Sequence, residues 1–207
     1  MLVIGITGGV GAGKSSVLKV LKEHCNCRII LADEVGNKVK EPGQKCYYEL
    51  VHLLGKDMLN EDGTINKLKM AEQIFSDTEI LSKVNAIIHP AVETYILTEI
   101  AKEKEEKEID VFFLEAALLI EAGYVPHLDE VWYIYSDETV RRKRLKESRS
   151  YSDEKIDQIM KSQLSDEQFR QYASVVLDNT SDMEHTFEQI KEACKKKNIW
   201  LDMDSKR

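Results

Sequence analysis

The sequence predicts an α/β fold in which a parallel sheet is flanked by helices, and three features of the first 31 residues predict it. Leu2-Val-Ile-Gly-Ile-Thr7 is a continuous apolar run ending in glycines, the pattern of a strand buried on both faces. Lys14 to His24 then carries Val17, Leu18, Val20 and Leu21 at helical spacing, and Arg28-Ile-Ile-Leu31 follows as a second short strand. Strand, glycine loop, helix and strand in that order form a βαβ unit of about the minimum length.

The middle of the chain changes character. From Val35 to Lys107 the patterns are helical, with no convincing strand. Tyr47 to Leu54 reads as a helix closed by Gly55, and Asp62-Gly63 reads as a turn. Asn66 is placed to cap a helix over Lys67 to Phe75, and Asp77 to cap the next, Thr78 to Ile88, which Pro90 terminates or kinks. Ala91 to Lys107 continues as helix and ends in a charge run, the mark of a solvated helix end. Strands return at Val111 to Leu114, Val131 to Tyr135 and Val175 to Leu177, with a helical segment rich in Arg, Lys and Gln over Thr139 to Gln171. A last amphipathic helix bearing Phe187, Ile190 and Ala193 precedes a charged tail. Trp132 reads as core and Trp200 as tail packing. The chain therefore reads as one domain over residues 1–207, with a helical insertion over about 35–107 and a helical lid over about 139–171.

Composition narrows the function classes. No stretch approaches the roughly 20 apolar residues of a membrane span, and the apolar start lacks the basic region and cleavage site of a signal peptide. The net charge is −8, from 29 basic and 37 acidic residues, which disfavours general nucleic-acid binding because duplex affinity comes largely from Lys and Arg. Any phosphate binding must be local. Cys25, Cys27, Cys46 and Cys194 complete no zinc pattern and read as free thiols of a reducing, cytoplasmic compartment.

Local phosphate binding has an evident seat. Gly8-Gly-Val-Gly-Ala-Gly13-Lys14-Ser15 matches G-x-x-x-x-G-K-[ST], and it follows a strand and opens a helix, the context the motif requires. Glycines let successive backbone N–H groups of Gly9, Val10, Gly11, Ala12, Gly13, Lys14, Ser15 and Ser16 turn toward phosphate oxygens, and the helix dipole adds to the same anion. Lys14 is suited to the β- and γ-phosphates of ATP, and the Ser15 hydroxyl to Mg²⁺. A second acid near the metal belongs at the end of a neighbouring strand, where Glu115 and Asp33 both stand; Asp33 reads equally as a helix N-cap. Arg141, Arg142, Arg144 and Arg149 cluster with Lys143 and Lys146, either as a lid over ATP or as an exposed basic face paired with Glu138, Glu147 and Asp153. His89, before Pro90, reads on its own as a hydrogen-bonded structural residue.

From Leu2 to about Asn179 these pieces together resemble the dephospho-CoA kinase family. Ile4 to Ser15 is similar to the family's opening T-G-G-I-G-S-G-K-S. Leu31-Ala-Asp33 and Glu41-Pro-Gly43 resemble its D-A-D and E-P-G segments, Asn85 to Pro90 its L-N-x-I-x-H-P, and Leu118-Leu-Ile-Glu121 part of its P-L-L-F-E. Arg144, Arg149, Gln163 and Asp178-Asn179 fall where the family has paired lid arginines, a glutamine and I-D-N.

The resemblance implies transfer of the ATP γ-phosphate to the ribose 3′-hydroxyl of dephospho-CoA, a small-molecule acceptor. It implies that Asp33 orients or deprotonates that hydroxyl, that Lys67, His89 and Glu121 belong to the acceptor side, and that Arg144 and Arg149 meet the phosphates. Asn179 would lie near the adenine. Leu31 departs from the first Asp of D-A-D, which excludes a paired-carboxylate role, and Lys67 stands where members often carry Arg, which loses bidentate phosphate recognition. A nucleotide kinase of the same fold, such as a cytidylate kinase, is the alternative enzyme. A nucleotide-hydrolysing switch is a third reading, disfavoured by the lack of N-K-x-D.

Overall fold

The structure, a computed structural model, describes residues 1–201, so most of the charged tail lies outside the described residues. Two compact units divide the chain: Met1–Ile30 with the chain from Glu103 onward, and Leu31–Lys102.

The first unit is built on a five-stranded sheet of order β2-β3-β1-β4-β5. Its strands are β1 (Leu2–Thr7), β2 (Cys27–Leu31, whose last residue belongs to the second unit), β3 (Val111–Glu115), β4 (Glu130–Tyr135) and β5 (Val175–Asp178). β1 lies between β3 and β4, and β4 pairs with β5, every one of these pairings parallel. Parallel strands carry crossover helices on both faces, so their residues are apolar without alternation: Ile4, Ile6, Phe112, Phe113, Trp132 and Ile134 are all fully buried. The register sets Ile6 of β1 beside Glu115 of β3, so the glycine loop and Glu115 emerge together at the carboxyl edge. In open α/β sheets that edge is where ligands bind.

Helices close the faces. α1 (Lys14–His24) buries Val17, Leu18, Val20 and Leu21, as the spacing predicts. The segment expected to be helical over Thr139 to Gln171 resolves into three helices, α6 (Glu138–Arg149), α7 (Asp153–Lys161) and α8 (Asp166–Tyr172), each with a side-chain N-cap from Asp137, Ser152 and Ser165. α9 (Met183–Lys196) packs on α1, where the Cys25 and Cys194 sulfurs meet at 3.8 Å as free thiols. Trp132 is core, as expected, whereas Trp200 packs in an aromatic group, stacked on His24 and edge-on to Phe187.

The second unit is helical: α2 (Ala32–Lys38), α3 (Lys45–Leu54), α4 (Lys67–Ser76) and the greater part of α5 (Thr78–Glu106). Asn66 and Asp77 act as the predicted caps, Asn66 accepting from Leu68 and Lys69 and Asp77 from Glu79 and Ile80. Pro90 does not end the helix. α5 runs through it as one 29-residue element, held on both sides of the lost hydrogen bond by the buried Val84, Val92 and Ile96. Among the described residues no helix is long and apolar enough to cross a membrane.

Candidate active site

The loop after β1 has the backbone an anion cradle needs. Gly8, Gly11 and Gly13 have φ of 151°, 79° and 89°, a region other residues rarely enter. Gly13 is the N-cap of α1 and contributes no side-chain bond, and the first turn of α1 holds no acidic residue. A helix opening in this way favours a negative charge at its N-terminus. Lys14 Nζ donates to the Gly8 carbonyl at 2.9 Å and lies 3.6 Å from Glu115 Oε1, both side chains about 15% exposed (14% and 15%). The ammonium is therefore curled over the loop mouth, with the β3 carboxylate beside it. Ser15 and Ser16, on the first turn, are exposed.

The basic cluster divides by helix phase. Arg142 faces away from the loop and pairs with Glu138 and Asp157, while Lys146 pairs with Asp153, so these side chains form the charged face that was the bland expectation. Arg141 and Arg144, three residues apart, turn toward the loop instead. Arg144 donates to the Ala12 carbonyl (3.4 Å), Ser136 Oγ (3.2 Å) and the Asn179 carbonyl (2.9 Å). Arg141 Nε donates to the Val10 carbonyl at 2.9 Å, and its Nη2 to Gln163 Oε1 at 3.2 Å. Gln163 Oε1 also accepts from the Val10 N–H at 3.0 Å. Burial pulls the Arg141 guanidinium below its usual pKa.

Arg141 and Gln163 both reach the loop, although neither residue type is part of the glycine motif. Arg149 is not brought to the loop: it ends α6, exposed, with Tyr151 as its ring neighbour at 6.0 Å. The Asn179 side chain is buried and engaged with protein. It donates to the Ala12 carbonyl at 2.8 Å and accepts from Thr186 Oγ1 at 3.0 Å, so it ties β5 to the loop. Glu121 is exposed in the turn after β3, a turn anchored by the fully buried Leu119.

Within the helical unit, Asp33 is not a cap: Leu31 holds the N-cap position of α2 and Asp33 lies in its first turn, exposed, where a carboxylate also favours the helix dipole. His89 is exposed on α5, not tucked into an apolar helix end. A cavity of about 470 Å³ is lined by Lys40, Lys67, Asn37, Asn60 and Asn66 among others. Burial lowers the pKa of Lys40, and the like charge of Lys67 lowers it further, while Cys46 and Asp33 act in the opposite sense. The two ammonium groups share this cavity with three amide side chains and the Glu41 carboxylate. Lys40 carried no motif, because its partners come from segments about 20 to 30 residues away in sequence.

Comparison with known proteins identifies a family. The family model described as dephospho-CoA kinase matches residues 2–185. A dephospho-CoA kinase of Oceanobacillus iheyensis is 33% identical over 198 residues, covering 96% of this chain and 98% of the relative. A crystal structure from Thermus thermophilus, 26% identical, matches with a TM-score of 0.80 over 94% of this chain and 96% of that one. The dephospho-CoA kinase of Campylobacter jejuni shares the fold at a TM-score of 0.72, with 20% identity over 94% of this chain and 96% of that chain. With the family model spanning residues 2–185, from β1 and the loop through β5, the chain belongs to the dephospho-CoA kinase family.

Proposed function

We propose that the chain transfers the γ-phosphoryl group of ATP to the ribose 3′-hydroxyl of dephospho-CoA, giving coenzyme A and ADP. The observation that carries this reading is the glycine loop with Lys14 curled over its mouth, in a chain matched by the family model over residues 2–185. In the transfer, a bond forms between the acceptor oxygen and the γ-phosphorus as the bond to the β,γ-bridging oxygen breaks. ADP leaves with that electron pair, and the hydroxyl proton passes to a base.

The roles follow from chemistry. The N–H groups of Gly9 to Ser16 and the α1 N-terminus hold the phosphates, and Lys14 neutralises charge on the β- and γ-oxygens. The donor set fits a hard divalent cation that arrives with ATP, since Mg²⁺ takes one or two protein oxygens and keeps its waters and substrate phosphates. Ser15 and Glu115 would hold it, and when bound it neutralises phosphate charge. Arg144 and Asn179 keep the loop and the nucleotide end of the site in place, and Arg149 is the outer arginine of the lid. Lys67 and Lys40 suit the diphosphate of the acceptor, and His89 and Glu121 its remaining polar groups. Asp33, exposed and without a capping duty, is the acid that orients the 3′-hydroxyl and takes its proton.

Asp33→Asn tests the base directly. It is expected to lower kcat by about 100-fold while the KM for ATP stays within about threefold, because Asp33 acts on the acceptor and not on the nucleotide. An Asn variant as fast as the parent removes Asp33 from the mechanism. Product identity checks the acceptor position: the phosphorus spectrum of the product should show a new 3′-monoester, and a 2′-ester or no ester refutes the proposed chemistry.

A further inference from the structure

Four arginines stand on α6, and three are accounted for. Arg142 is neutralised by Glu138 and Asp157. Arg149 is exposed beside Tyr151. Arg144 uses both arms of its fork on protein oxygens at Ala12, Ser136 and Asn179. Arg141 resembles Arg144 in bonding only to uncharged protein oxygens and differs from it in leaving Nη1 without an acceptor among the described residues. It is half-buried, and among the described residues no carboxylate lies within ion-pair distance of it. Its Nε and Nη2 bond to the Val10 carbonyl and Gln163 Oε1, and neither acceptor carries a charge.

Its position is as particular as its charge state. A β-carbon added at Gly9 would lie 2.4 Å from Arg141 Nη2 and 2.8 Å from Nη1, so the guanidinium lies flat against the loop backbone at Gly9. The absent side chain at Gly9 is what lets it approach. Even partial burial of a guanidinium without a counter-charge is unfavourable, and an anionic ligand at Nη1 would relieve it. The loop beneath it is the anion cradle, and Lys14 reaches back to Gly8 on the same stretch. Nη1 donates to no described residue and keeps its hydrogens for a ligand.

We propose that Arg141 is a catalytic residue of the phosphoryl transfer, its Nη1 edge meeting the γ-phosphoryl oxygens, with Gln163 holding the guanidinium at the loop. This rests on the proposed ATP-dependent transfer but not on the identity of the acceptor. As the new O–P bond forms and the bond to ADP breaks, charge spreads over the equatorial oxygens of the transferring group, and a prepositioned guanidinium stabilises it. Gln163 is a positioning residue: its Oε1 accepts from both Arg141 and the Val10 N–H, so the side chain and the loop are fixed to one another.

The test is binding of ADP alone and of ADP with aluminium fluoride, a mimic of the transferring phosphoryl group, in the presence of Mg²⁺. Parent, Arg141→Ala and Arg141→Lys proteins are compared by titration calorimetry. The parent is expected to bind the aluminium fluoride complex at least about 100-fold more tightly than ADP. Arg141→Ala should keep the ADP affinity within about threefold and lose most of that excess, and Arg141→Lys should recover less than about tenfold of it, lacking the planar fork. Added ethylguanidinium should restore part of the excess to Arg141→Ala. Equal weakening of ADP and of the mimic would mean that Arg141 only shapes the loop, and an unchanged excess would mean that it plays no part; either result overturns the assignment. Turnover with dephospho-CoA is measured on the same proteins. A parent that uses another acceptor refutes the acceptor reading while the binding comparison still decides the role of Arg141.

Discussion

Replacing Lys14 with methionine is expected to lower kcat by about 1000-fold, with the variant still folded. The methionine keeps the length and apolar stem of lysine but removes the only feature the chemistry requires, the ammonium beside the β- and γ-oxygens. Lys14 donates to the Gly8 carbonyl at 2.9 Å and lies 3.6 Å from Glu115. Lys14→Arg should recover little, because a planar guanidinium does not reproduce a compact point charge at the loop mouth. Single-turnover transfer at saturating ATP measures the loss, and a thermal melt on the same sample establishes that folding survives. A Met variant within tenfold of the parent would refute the proposed role of Lys14. Removing the cation also leaves Glu115 without this partner, so Glu115→Gln in the methionine background should regain some of any lost stability.

The second large effect concerns the backbone. Gly8→Ala should lower stability by about 3 kcal/mol and abolish nucleotide binding by the protein that remains folded. Its φ of 151° is unfavourable for any residue with a β-carbon, and an added β-carbon would lie 2.4 Å from the Ile134 carbonyl oxygen. That oxygen belongs to β4, next to β1 in the sheet, so relief requires moving a core strand. Gly13→Ala, although at φ 89°, meets the Asn179 amide, Nδ2 at 2.1 Å, and should do less damage because relief breaks the Asn179 bonds to Ala12 and Thr186 but moves no core strand. Denaturant unfolding of both variants checks the order: Gly13→Ala more damaging than Gly8→Ala would contradict the argument.

These two residues also illustrate what was legible beforehand. β1, the loop and α1 are local: an apolar run, a glycine motif and helical spacing over residues 2–24 determine them without reference to the rest of the chain. The caps Asn66 and Asp77 are legible for the same reason, since a cap bonds to N–H groups two and three residues ahead. Pro90 was less so. Its effect on α5 depends on whether buried neighbours hold the helix on either side, and Val84 and Val92 do. Asp33 followed a strand and so resembled a cap, but α2 begins two residues earlier than such a cap requires, a shift of the size that sequence patterns do not resolve.

The arginines show the limit most clearly. Composition marked α6 as basic, yet which face meets the loop depends on how α6 packs against the loop itself, where Gly11 approaches the Arg141 backbone and Leu145. Only that packing separates Arg141, on the loop, from Arg142, one residue on and paired with carboxylates. Lys40 escaped notice in the same way, since segments around residues 37–42 and 60–70 must fold together before its cavity exists.

The central claim is the transfer of a phosphoryl group from ATP to dephospho-CoA, and the initial rate of ADP release under Mg-ATP tests it most directly. Dephospho-CoA, CMP, AMP and no acceptor are compared at equal concentration with the full chain. The account predicts ADP release that depends on dephospho-CoA and yields an equal amount of coenzyme A, with rates for CMP and AMP near the acceptor-free background. Release driven by CMP, or equal release without any acceptor, would leave the phosphate-binding loop in place and contradict the proposed acceptor.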